Sequence, residues 1–196
     1  MTMQEHEEKV RFQVGGVMLA GTLAMPERAL GIVLFAHGSG SSRHSPRNRF
    51  VAATLRKARL GTLLFDLLTG DEEAEDLVTG RLRFDIPFLA GRLLGATNWI
   101  AQNPATERLR IGYFGSSTGG AAALIASVER LEKIGAIVCR GSRTEHGEGG
   151  ARARGRADAA DRRRTGRDGG GMEPRVVCGT SLRKATRDRS GRNASF

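Results

Sequence analysis

The sequence of 196 residues predicts an α/β protein with a doubly wound, mostly parallel sheet. Short apolar runs, "LGIVLFAHGSG", "LGTLLFD" and "LRIGYFG", have the unbroken hydrophobicity of strands buried on both faces. Segments with helical periodicity separate them. The resulting alternation, a hairpin and then β-α-β-α-β-α-β, implies right-handed crossovers and helices on both faces of the sheet. The length suits one compact domain.

The hairpin comes first. In "KVRFQVGGVMLAGTLAMP", Val10, Phe12 and Val14 alternate with polar residues, and Val17 and Leu19 resume the pattern after Gly15-Gly16, a pair able to adopt the positive φ that a two-residue turn needs. After the strand "LGIVLFA", Ser45 caps a helix with Pro46 in its first turn, Val51, Leu55 and Ala58 on one stripe, and Gly61 as its stop. "LGTLLFD" is the next strand. Residues 67–84, "LLTGDEEAEDLVTGRLRF", read as a loop, and the acidic run from Asp71 to Asp76 reads as its solvated surface in preference to a metal or partner site. Ile86, Leu89, Leu93 and Ile100 line one stripe of a second helix, which ends at Asn103-Pro104. A third strand, a helix over "AAALIASVERLEK" and the short strand "GAIVC" complete the order.

Ligands of open parallel sheets bind beyond the carboxyl ends of the strands. There "GYFGSSTGG", residues 112–120, centres a G-x-S-x-G motif on Ser117. A nucleophile on a tight strand-to-helix turn needs small neighbours, because the strained backbone lies close to the next helix, and Gly115 and Gly119 supply them. Ser116 is spaced wrongly for the motif. The following helix points its first N–H groups toward the serine, so the Thr118 N–H is placed to stabilise an oxyanion. The glycines of "HGSG", His37 to Gly40, let that loop turn a second donor inward, and the Ser39 N–H is the expected one.

The segments "HGSGSSRHSPRN" at 37–48, "DLLT" at 66–69 and "GSSTGG" at 115–120 make residues 10–138 similar to the α/β-hydrolase superfamily and, within it, to the dienelactone hydrolase-like branch. The resemblance implies the α/β-hydrolase fold and a small serine hydrolase acting on an ester, lactone or similar acyl compound, with no cofactor and no metal. Ser117 would be the nucleophile, and the backbone N–H groups of Ser39 and Thr118 the oxyanion donors. His37 and Gly38 would shape the oxyanion loop, not perform catalysis. Dienelactone hydrolases proper use a cysteine nucleophile, from which Ser117 departs. Relatives of this branch also occur fused to phosphoribosyltransferase domains, and no phosphoribosyl-binding signature stands in this chain.

Other polar residues are read more plainly. Asp66 ends a strand at the same edge and is expected to accept hydrogen bonds from loop N–H groups. Arg43 and Arg47 either hold an anionic substrate group or brace the loop toward the acidic segment. His6 and His44 read as surface residues. Cys139 and Cys178 show neither metal-ligand nor redox spacing.

In the superfamily an acid follows one further strand and a histidine follows another. Here the composition changes instead. Of 31 basic and 21 acidic residues, 15 and 7 lie from Cys139 onward, net +8, leaving 16 and 14 before it, net +2. Residues 139–196 hold few large apolar side chains (Met172, Val176, Val177, Leu182, Phe196), too few to offset the entropy of folding. The chain is therefore divided into a hydrolase core at 1–138 and a basic Arg/Gly-rich segment at 139–196, disordered or out of frame, so that the sheet lacks its last strands. One account is a genuine basic tail that binds nucleic acid or another polyanion through phosphate contacts. The other is a slip of reading frame near Cys139, which the unfinished sheet favours. His146, the histidine that remains downstream, allows a Ser117–His146 dyad with no positioned acid. An impaired hydrolase of a small acyl substrate is the expectation, and polyanion binding is the alternative. The charged N-terminus and the lack of a span-length apolar run point to a cytoplasmic protein without a membrane partner. Oligomeric state is left open.

Overall fold

The computed structural model describes residues 6–130, 132–141 and 175–179. The strands are β1 (His6–Val14), β2 (Val17–Met25), β3 (Gly31–Ala36), β4 (Leu60–Phe65), β5 (Arg110–Ser116), β6 (Ile134–Arg140) and β7 (Arg175–Gly179), and the helices α1 (Pro46–Lys57), α2 (Gly70–Thr79), α3 (Ile86–Gln102) and α4 (Thr118–Val128). One sheet runs β1-β2-β4-β3-β5-β6-β7. β1 and β2 form the expected hairpin, turning at Gly15 (φ 55) and Gly16 (φ 87), and β2 is also antiparallel to β4. The remaining pairs are parallel.

Alternation along the strands sorts the core. Leu34, Leu63, Phe65, Ile111 and Tyr113 lie on the face covered by α3 and α4, and Phe12 stacks there on Trp99 with ring centroids 4.7 Å apart. Phe35 and Leu64 turn to the opposite face, where Ala52, Val51 and Leu55 of α1 cover them. Each large side chain buried this way contributes roughly 1.5–3 kcal/mol. Among the described residues no helix is long and apolar enough to cross a membrane.

Residues 67–84 are not a loop. α2 and a 3-10 turn, Leu82–Phe84, occupy most of the segment. Thr69 and Glu72 form a reciprocal capping box: the Glu72 N–H donates to the Thr69 hydroxyl at 3.2 Å, and the Thr69 N–H to the Glu72 carboxylate at 2.8 Å. The acidic run is accordingly structural as well as solvated. Glu72 pairs with the buried Arg92 of α3, and the buried Asp76 pairs with Arg83 at 2.6 Å.

Gly61 is not the stop of α1. That helix ends at Lys57, and the left-handed turn after it is taken by Arg59 (φ 62), whose guanidinium donates to the Arg28 carbonyl at 2.7 Å. Gly61 lies inside β4, where a Cβ would stand 2.5 Å from the Met25 sulfur. The basic segment also contributes a strand that its composition hid: β7, "RVVCG", pairs in parallel with β6, the ladder of the neighbouring edge making up for its shortness. Cys139 is part of the core, its thiol directed to the Gly120 carbonyl at 3.7 Å.

Candidate active site

β5 ends at Ser116 and α4 begins at Thr118, so Ser117 is the whole of the turn between them. Its backbone sits at φ 51, ψ −121, a region costly for any residue with a Cβ. The surroundings hold it there. Its N–H donates to the Arg140 carbonyl at 3.0 Å, and its own carbonyl accepts from the Gly120 N–H at 2.9 Å. The motif glycines are demanded by contact: a Cβ on Gly119 would lie 2.1 Å from the Ala36 oxygen, one on Gly115 would lie 2.4 Å from the Gly120 Cα, and one on Gly38 would lie 2.9 Å from the Ser116 oxygen. β3, β5 and α4 therefore approach one another more closely than side chains permit, and Ser117 is left exposed at the end of the sheet.

His37 is a fixed part of the neighbouring loop. The Leu67 N–H donates to its Nε2 at 3.0 Å, so its Nδ1, 3.0 Å from the Gly38 carbonyl, carries the proton and donates. Burial pushes its pKa below the usual 6.5, against the Gly38 carbonyl and the Glu73 charge, which favour protonation. Both ring nitrogens are thus engaged in holding the loop. The Ser39 N–H donates to the Thr118 hydroxyl at 3.1 Å, which lays the loop across the start of α4. The Thr118 N–H, at the first position of α4, has no acceptor within the helix.

Asp66 accepts from the Arg43 N–H at 2.7 Å and pairs with the Arg43 guanidinium. Arg43 thus ties the loop to Asp66 at the end of β4, not to the acidic segment. A cleft of about 50 Å³ opens beside this loop, lined by His37, Ser39 and Thr118 and by the apolar Leu67, Leu77 and Leu89. Asp76 and Arg83 line it as well. Burial opposes the Asp76 charge, but the Arg83 guanidinium and the N–H groups of Arg83 and Leu82 outweigh it and hold the carboxyl below its ordinary range.

Sequence reasoning missed Arg140. Its guanidinium donates to the Ser116 hydroxyl at 3.2 Å, while its Nε is buried without a hydrogen-bond partner among the described residues. No local pattern marks it, since β6 places it opposite Ser116 only through the strand register. His146 lies outside the described residues, as does most of the 139–196 segment. Of the described histidines, only His37 lines the cleft.

A mostly parallel sheet in which β5 delivers a strained serine to a helix N-terminus, beside a loop of histidine and glycine, is the arrangement of the α/β-hydrolase fold. Comparison with solved structures agrees. Dienelactone hydrolase from Anabaena variabilis superposes with a TM-score of 0.70 at 59% identity, over 71% of this chain and 65% of that one. An esterase of Pyrococcus furiosus (TM-score 0.57, 21% identity, 70% and 51% of the two chains) and Est1E from Butyrivibrio proteoclasticus (0.56, 17%, 67% and 50%) share the fold. The chain has the α/β-hydrolase fold and is similar in sequence and structure to that dienelactone hydrolase. Curated proteins of two Mycobacterium tuberculosis strains, CDC 1551 / Oshkosh and H37Rv, each provisionally named a phosphoribosyl transferase, are 50% identical over 139 residues. Those residues are 71% of this chain but 30% of each relative, so the chain spans under a third of their length. No protein-family model matches it.

Proposed function

We propose that the chain carries the nucleophile and oxyanion pocket of a serine acyl hydrolase. The Ser117 hydroxyl attacks the carbonyl of an ester, lactone or similar acyl compound, and the N–H groups of Thr118 and Ser39 receive the oxyanion, the latter exchanging the Thr118 hydroxyl for the substrate oxygen. The observation that carries this reading is the backbone of Ser117, since a strained conformation persists at a reactive residue only where its surroundings enforce it.

Attack on the carbonyl also needs a base for the hydroxyl proton. His37 cannot serve, because its Nε2 lone pair accepts from Leu67 and burial disfavours its protonated form. With no other described histidine at the cleft, the Ser117 hydroxyl keeps its high pKa and acylation is slow. Oxyanion stabilisation and binding alone leave roughly 10³–10⁴-fold catalysis over water in serine hydrolases stripped of their triads.

The test is hydrolysis of a small activated ester together with labelling by a fluorophosphonate. Trace turnover and weak labelling are expected, both lost in Ser117→Ala and kept in Ser116→Ala. Turnover that survives Ser117→Ala refutes the proposal. Rapid turnover that needs both Ser117 and His146 assigns the base to the segment beyond Arg140 and removes the impairment. The 15 basic against 7 acidic residues from Cys139 onward support a second reading, polyanion binding by that segment, which salt should weaken steeply.

A further inference from the structure

A second cavity, about 580 Å³, lies on the other face of the sheet, between α1 and the antiparallel edge formed by β1, β2 and β4. It shares no wall with Ser117 or Thr118. Its charges are one-sided. Among the described residues Lys9, Arg43, Arg49 and Arg56 line it, against the carboxylate of Glu7. Arg43 is matched by Asp66, and Arg56, only 8% exposed, is matched by Glu7 at 3.0 Å and donates to the Thr62 hydroxyl at 3.5 Å. The side chains of Lys9 and Arg49 have neither an ion pair nor a hydrogen bond among the described residues.

Several cations set in a concave, partly apolar wall raise the local potential, because the protein body focuses their field into the groove and water screens it poorly there. Arg49 and Arg56 stand seven residues apart on α1, which separates their attachment points by about 10 Å. Phe50, 74% exposed, lies beside them as an apolar ledge. Guanidinium forks match the geometry of phosphate and carboxylate oxygens.

We infer that this groove is a binding site for a small organic molecule bearing two or more oxyanion groups, held by Lys9, Arg49 and Arg56 with its apolar part against Phe50. The site is independent of Ser117, and its occupancy does not depend on catalysis. Phosphate and carboxylate share the chemistry that these side chains recognise.

Calorimetric titration of the full chain with inorganic pyrophosphate, and separately with citrate, in low-salt buffer tests the assignment. Saturable binding at one site is expected, weakened about tenfold by Lys9→Ala and by Arg49→Ala, the loss expected for one charge-assisted hydrogen bond. Both side chains are exposed, so the variants should fold, and unchanged circular dichroism checks this. Lys57→Ala removes the same charge from the same helix outside the groove and should leave affinity unchanged. Binding of pyrophosphate alone assigns a phosphate ligand; binding of citrate as well assigns oxyanions generally. No saturable binding overturns the inference. So does binding that Lys9→Ala and Arg49→Ala leave intact, which would put the anion on the arginines beyond Cys139.

Discussion

Replacing Ser117 by glycine should stabilise the protein while removing the proposed nucleophile. At φ 51, ψ −121 a residue with a Cβ stores strain on the order of 1–3 kcal/mol. Glycine enters this region freely, but its more flexible unfolded chain returns about 0.5–1 kcal/mol of the gain. Little else is lost, because Ser117 is exposed and its side chain makes no capping hydrogen bond to α4. The net effect is a stabilisation of about 1 kcal/mol, or roughly 2–4 °C in Tm for a domain of this size. Ser117→Ala keeps the Cβ and therefore the strain, so it should show no such gain, and the difference between the two variants isolates the backbone contribution. Urea unfolding followed by circular dichroism measures both, with equal m-values expected. A Ser117→Gly protein no more stable than Ser117→Ala would show that the turn is unstrained, and the main support for Ser117 as an enforced nucleophile would be gone.

Glu72→Ala should cost about 3 kcal/mol or more, since it opens the capping box of α2 and strands the Arg92 guanidinium, 6% exposed, without its carboxylate; a loss below about 1 kcal/mol in chemical denaturation would contradict the buried pairing. Because burial holds the His37 pKa below 6.5, the folded state binds fewer protons than the unfolded chain, so this contribution is complete above about pH 6.5 and declines as the pH falls below it. Tm should then drop more steeply with acidification in the native protein than in His37→Gln, which retains an acceptor for the Leu67 N–H; parallel pH profiles would rule this out. Gly119→Ala would drive a Cβ to 2.1 Å from the Ala36 oxygen, backbone that cannot yield, and should lower soluble yield or stability by roughly 3 kcal/mol; a variant as stable as the native protein would disprove the contact. If the segment from Cys139 onward is out of frame, the coding DNA past codon 138 should encode, in another frame, an apolar strand followed by an aspartate and later a glycine-histidine segment; if neither alternative frame encodes them the basic segment is genuine.

What the sequence determined by itself is local. Alternating Val10, Phe12 and Val14 around Gly15-Gly16 specify the hairpin, the unbroken apolar runs specify buried strands, and Gly115 and Gly119 around Ser117 specify the turn, because each is a relation between residues a few positions apart. Asp66 at a strand end was legible for the same reason. α2 was half legible: Thr69 and Glu72 carry the spacing of a capping box, but the helix shows no apolar stripe, since ion pairs to Arg83 and Arg92 hold it in place of burial. Tertiary structure alone decided the rest. Gly61 answers to the sulfur of Met25, Ser116 to the guanidinium of Arg140, and β7 to the edge of β6. The cationic groove joins Lys9 of β1 to Arg49 and Arg56 of α1, residues some forty positions apart that read separately as ordinary solvated charges. Periodicity records which face of an element is buried, whereas the neighbour against that face depends on strand order, here one that seats β4 between β2 and β3 and so brings α1 beside the hairpin, a choice made by the packing of the whole sheet.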